Sequence, residues 1–244
     1  MSFEQILVLN DARSYLYSLA HTVYTAPLEE QQVQATLSEL SFQAFDVFKN
    51  TGNADYDEAL SVLEQVVSQG IDHKALERDY TVLFIGPEKV KAFLWESAYK
   101  SPTHLLFQQS TLEVRQMFSD EGYVFAKYPK EADDHLAAEM DFMKNLSERL
   151  GAAAESNNAE EALRLMELQR EFLEKHLLTW FDLFNKDVCD AQEEADLQAY
   201  YPLFTKLIAS FLHLDVHMLQ EMSELYKNST GLSRESQELS DTLT

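Results

Sequence analysis

Apolar residues recur along most of the chain at spacings of three and four, the period that places them on one face of an α-helix. Strand-type alternation is absent. The first run, from Ser2 to about Tyr24, carries Ile6, Leu9, Leu16, Leu19 and Val23 and opens with Ser2 and Gln5 at capping-box spacing. Pro27 suits the first turn of a second helix, whose stripe is Val33, Leu37, Leu40, Ala44 and Val47 and which Gly52 closes. A third helix carries Tyr56, Leu60, Leu63 and Val67 up to Gly70, and a fourth runs from Asp72 to Phe84, ended by Gly86 and Pro87. Residues 87–109 lack a clean period and read as a structured loop. Ser110 with Glu113 starts the next helix, which Gly122 ends; then Leu136, Met140, Met143, Leu146 and Leu150 mark one ending at Gly151. Asn158 with Glu161 caps a long helix to about Val188, and a last helix spans about Asp196 to Lys227, with a bend expected near Pro202.

These elements predict an all-α fold: a single bundle-like helical domain over residues 1–228. A possible hinge at 122–132 separates an N-terminal part, 1–121, from a C-terminal part, 133–228. Residues 229–244 have no apolar period and read as a disordered tail. A length of 244 residues suffices for a self-supporting core, and six glycines and five prolines leave little material for a β-rich or low-complexity chain.

Charge narrows the set of partners. Nineteen basic against 42 acidic residues give a formal net charge of −23, which repels nucleic acid and anionic lipid and attracts cationic segments. The stretch from Asp72 to Pro102 is an exception, with five acids and five bases around a dense set of aromatics. One cysteine, Cys189, excludes an internal disulfide and a multi-cysteine metal site and suits a reducing compartment. The first residues lack the basic and small-residue features of a signal peptide. No run of about 18 uncharged apolar residues occurs, so a soluble cytoplasmic protein without membrane insertion is expected.

Little in the sequence suggests covalent chemistry. There is no phosphate-binding glycine motif of the P-loop or dinucleotide type and no G-x-S-x-G elbow. His213, His217 and Glu221 recur every four residues and would line one helical face, a spacing able to hold zinc or iron; the ordinary alternative is a solvated helix face. In Glu131-Ala132-Asp133-Asp134-His135, helix physics alone favours a cap, because one acid suffices to accept the free N–H groups of the first turn. The aromatic island, Tyr80 to Pro87 and Phe93 to Tyr99, is either core packing or the wall of an apolar groove for a peptide helix.

Four blocks, in order, resemble the TorD/DmsD family of redox-enzyme maturation chaperones. The first is Y-x-x-L-F-x-G-P at Tyr80, Leu83, Phe84, Gly86 and Pro87, continued by W-x-S-x-Y at Trp95, Ser97 and Tyr99. The second is S-T-L-x-x-R at Ser110, Thr111, Leu112 and Arg115. The third is E-P-x-D-H at Glu131, Asp134 and His135, and the fourth is H-L-x-x-W at His176, Leu177 and Trp180. The chain departs from the family pattern at Phe93-Leu94 and Ala132, where the family has prolines, at Gln108 for a glycine, and at Thr179 for a proline.

The resemblance implies a cytoplasmic chaperone, not an enzyme and without a cofactor of its own. It would bind the twin-arginine leader peptide, and the apo form, of a molybdenum-cofactor oxidoreductase, as a monomer or a helix-swapped dimer. It implies leader binding by Tyr80, Leu83, Phe84, Trp95, Asp134 and His135, with Gly86, Pro87, Ser97, Tyr99, Glu131, His176 and Trp180 in support. The apolar part of the leader would enter a Phe84/Trp95 groove while Asp134 and other acids face the arginines. The alternatives are a helical-bundle metal protein using His213, His217 and Glu221, and a nucleotide-responsive adaptor.

Overall fold

The computed structural model describes residues 3–86, 89–127 and 130–230. Ser2, Pro87, Pro129 and residues 231–244 lie outside the described residues, and with them the cap expected at Ser2, the proline stop at Pro87 and most of the expected tail.

Among the described residues the chain forms α1 (Phe3–Thr25), α2 (Glu30–Thr36), α3 (Glu39–Asp46), α4 (Ala54–Gln69), α5 (His73–Tyr80), α6 (Glu96–Lys100) and α7 (Gln109–Asp120). It continues with α8 (Leu136–Glu155), α9 (Ala159–Lys175), α10 (Phe181–Ala195) and α11 (Tyr200–Thr230), and no strand is formed among the described residues. The fold is all-α.

The apolar stripes determine how the helices meet. Ile6, Leu16 and Val23 of α1 are buried, and α1 lies along α8, whose Leu136, Met140, Met143, Leu146 and Leu150 are at most 1% exposed. Burying a side chain of that size contributes roughly 1.5–3 kcal/mol, so these two faces alone account for a large share of the hydrophobic drive. α11 packs on α9 and α4, α8 on α9, and α10 on α11. Helices from both sides of 122–132 share this core.

A polar seam crosses it. Arg13 of α1 is fully buried; its Nε pairs with Asp215 Oδ1 of α11 and its Nη2 donates to Asp215 Oδ2 (3.0 Å) and to Gln169 Oε1 of α9 (2.9 Å). Tyr17 donates to the same carboxylate at 2.6 Å. Asn10 Nδ2 reaches the Ser147 carbonyl of α8 at 2.8 Å. Four helices are therefore joined through buried polar groups centred on the Arg13–Asp215 pair.

Several boundaries differ from the expectation, each for a local reason. The second helix is two, because the chain turns at Leu37 and Ser38 restarts it by accepting the Ser41 N–H; the phase of the stripe is lost, leaving Leu40 and Val47 exposed. Ser110 does not cap α7, which begins at Gln109, so Ser110 is a buried residue of its first turn. Gly151 does not end α8. It lies inside the helix where α1 crosses closely, and a Cβ there would sit 3.4 Å from Asn10 Nδ2. Pro202 falls in the first turn of α11, where the missing N–H interrupts no helical bond. Residues 87–109 contain α6, and the long penultimate helix breaks between His176 and Trp180.

Candidate functional site

α5 is capped by Asp72, which accepts from Lys74 N and Ala75 N, and it widens into a π turn over Thr81–Ile85 that closes on Gly86. Gly86 has φ +67°, and a Cβ on it would lie 2.5 Å from Val90 N, so the turn requires glycine there. The Leu83 carbonyl accepts from both Lys91 N and Ala92 N at 3.0 Å, folding the following segment back on the turn. Tyr80, Leu83 and Phe84 all face inward. Phe84 stacks on Phe184 (5.9 Å, 26°) and meets Tyr24, Tyr80 and Tyr201 edge-on.

The segment entering α6 pairs with the segment entering α8. Leu136 N donates to Leu94 O (2.8 Å) and Glu96 N to Asp134 O (3.1 Å), an antiparallel bridge centred on Trp95 and His135. Asp134, expected to cap its own helix, instead caps α6: its Oδ2 accepts the Ser97 N–H at 2.8 Å, while Oδ1 is buried without a hydrogen-bond partner. The cap of α8 is His135, whose Nδ1 accepts the Ala137 N–H at 3.0 Å. Its ring lies edge-on to Trp95 (5.2 Å) and parallel to Phe125 (6.5 Å). Burial, helped by the charges of Lys127 and His21, brings His135 down to about 3; it is neutral at physiological pH and its Nε2 carries the proton.

Beneath this bridge sits a carboxyl cluster absent from the sequence reading. Glu96 is fully buried, paired with Lys100 Nζ and accepting from His176 Nδ1 at 3.0 Å. Burial works against its charge, but these partners outweigh it and hold Glu96 below the ordinary range. Glu139 of α8 is pushed the other way, well above the ordinary range, by burial and by the neighbouring charges of Glu96 and Asp134. The available signal was Glu139 itself, one turn after Leu136 and four residues before Met143, a polar residue on an apolar stripe.

The four blocks therefore meet in space. Trp95 Nε1 donates to Glu131 Oε1 (3.0 Å), Asp134 holds α6 through Ser97, and Tyr99 stacks on Trp180 (5.4 Å, 28°) while its hydroxyl donates to Asp187. His176 leaves the helical path to reach Glu96, which is where α9 breaks. Arg115 of α7 pairs with Asp133 (2.7 Å). Two departures from the family pattern supply donors that proline lacks: Phe93 N donates to Tyr99 Oη at 3.1 Å and Thr179 N to His176 O at 2.9 Å.

Exposure divides the six residues expected to bind the leader. Tyr80, Leu83, Phe84, Asp134 and His135 are at most 4% exposed, and Trp95 is half-buried. The expected Phe84/Trp95 groove is not open: Phe84 is enclosed by its aromatic neighbours, and among the described residues no ring contact joins it to Trp95. His213 Nε2 pairs with Asp182 (3.0 Å), and among the described residues no group of three or more His, Cys, Asp or Glu is arranged to hold a metal ion. No helix of the described residues is long and apolar enough to cross a membrane.

Fold and site define the class first: an all-α protein whose polar motifs brace one another around a half-buried tryptophan. The family model for the nitrate reductase delta subunit matches residues 49–186, more than half of the chain and all four blocks. The chaperone protein TorD of Vibrio cholerae serotype O1 (strain M66-2) is 23% identical over 224 residues, covering 90% of this chain and 97% of its own. The chaperone protein TorD of Aeromonas salmonicida (strain A449) is 29% identical over 224 residues, covering 88% and 95%, and that of Vibrio atlanticus (strain LGP32) 28% over 163 residues, covering 67% and 73%. The chain belongs to this family, the TorD/DmsD redox-enzyme maturation chaperones, and like its relatives it is not an enzyme.

Proposed function

We propose that the protein binds the twin-arginine leader of a molybdenum-cofactor oxidoreductase in the cytoplasm. It would hold the apo-enzyme back from export until the cofactor is inserted. The observation that carries this reading is the convergence of the four blocks on the Trp95–His135 bridge, with Trp95 the member that keeps part of its surface exposed. Trp95 is the direct contact, since a half-exposed tryptophan held by a fixed hydrogen bond loses little entropy on binding. Asp134 and His135 are positioning residues: one holds α6, and the other caps α8 and backs the indole. Tyr80, Leu83 and Phe84 support the turn that leads into this segment.

Calorimetric titration of the full chain with a synthetic twin-arginine leader tests this. Binding is expected at about 1 μM or tighter. Trp95→Ala should weaken it by about 1 kcal/mol or more, and His135→Ala by a comparable amount with a lower melting temperature as well. The site assignment is lost if both variants retain wild-type affinity, and the leader reading is lost if the wild-type chain binds no such leader.

A further inference from the structure

Three acids precede α8, and their surroundings separate them. Glu131 accepts the Trp95 indole N–H, and Asp134 is fully buried against the start of α6. Asp133 lines an open cleft of about 300 Å³ between the end of α7 and the segment that follows it, together with Arg115, Phe118, Tyr123 and Val124. We propose that Asp133 is the acceptor for an arginine of the bound leader, and that Arg115 occupies this acceptor in the free protein. The proposal rests on the leader-binding reading and names the residue within it that meets the guanidinium.

The geometry supports such an exchange. Arg115 Nε donates to Asp133 Oδ2 at 2.7 Å, but the arginine side chain is 43% exposed and the aspartate side chain 7%. Asp133 is thus the buried member of the pair and Arg115 the exposed one. An arginine of the leader would keep a guanidinium on Asp133, and the apolar contacts made alongside it favour the exchange. The cleft supplies those contacts. Val124 is 75% exposed at its rim, Phe118 forms its floor, and Tyr123 is fixed by donating to Asp141 Oδ2 at 2.6 Å. The methylene stem of an arginine fits against such a wall while its head meets the carboxylate. A formal charge of −23 favours a cationic occupant.

The test titrates the full chain with a leader peptide carrying two arginines and with the same peptide carrying two glutamines. Asp133→Asn should weaken the arginine peptide by about fivefold or more and leave the glutamine peptide unchanged, and Asp133→Glu should restore the preference. Arg115→Gln, which removes the competing cation, should tighten the arginine peptide by about two- to fivefold and not the other. Thermal melts check that each variant is folded; if Asp133→Asn is not, the Arg115→Gln arm decides. Equal loss of both peptides in Arg115→Gln, or unchanged arginine-peptide affinity in Asp133→Asn, overturns the assignment while the leader reading stands. Failure of the wild-type chain to bind either peptide overturns both.

Discussion

His135 shows how one side chain can serve several contacts at a cost that depends on pH. It caps α8 through Nδ1, a role that needs a neutral ring, and it meets Trp95 edge-on and lies parallel to Phe125. In the folded chain it titrates at about 3, against 6.5 when unperturbed. Between these values the unfolded chain takes up a proton that the folded chain refuses, so folded stability falls as pH drops from 6.5 towards 3 and is independent of this group above 6.5. At about 1.4 kcal/mol per unit, the accumulated loss reaches a few kcal/mol by pH 4. Asn at 135 keeps an acceptor for the Ala137 N–H and removes the titrating site. Urea unfolding is expected to show His135→Asn gaining on the wild type as pH falls from 6.5 to 4, relative to their difference at pH 7.5. A difference that stays constant across that range would show that protonation of His135 does not set the acid limit.

Among the elements, the helices that stand alone were legible and the places where helices exchange partners were not. The stripes of α1, α4 and α8 are regular, and Asn158 caps α9 through its own side chain; local spacing carries all of that. Asp134 capping α6, His176 leaving the α9 path for Glu96, and the buried Glu139 depend on residues 37 to 80 positions apart or on another helix's charge, which no local pattern encodes. The site residues were legible as motifs, but their burial was not, because an aromatic-rich segment reads the same whether it lines a groove or fills a core. The Arg13–Asp215 pair makes a related point: Arg13 falls on the apolar stripe of α1, four residues after Leu9 and three before Leu16, but nothing local names the partners on α9 and α11 that it ties together. Asp215→Asn should lower the unfolding free energy by about 3–5 kcal/mol, since it strands a buried guanidinium. A loss below about 1 kcal/mol in chemical denaturation would mean that water or a rearranged Gln169 replaces the carboxylate.

For the whole molecule, the question is how a chain with so few bases presents its charge. Much of the basic complement is already committed on the surface: Arg164 holds Glu121 and Glu161, Arg170 holds Glu167 and Glu174, and Lys91 holds Glu194. With 42 acids against 19 bases, the remainder forms a negative field that no single contact accounts for. Such a field acts before contact, raising the encounter rate of a cationic peptide, and it is screened as the Debye length shrinks from about 10 Å at 0.1 M salt to about 3 Å at 1 M. The contacts proposed at Trp95 and in the cleft beside Asp133 are short-range and partly apolar, and salt screens them less. Stopped-flow fluorescence with a twin-arginine leader should therefore show the association rate falling about tenfold or more between 0.05 and 0.5 M salt while the dissociation rate changes by about twofold or less. A salt effect carried mainly by dissociation would locate the electrostatics in the bound complex and would make the net charge of the molecule incidental to recognition.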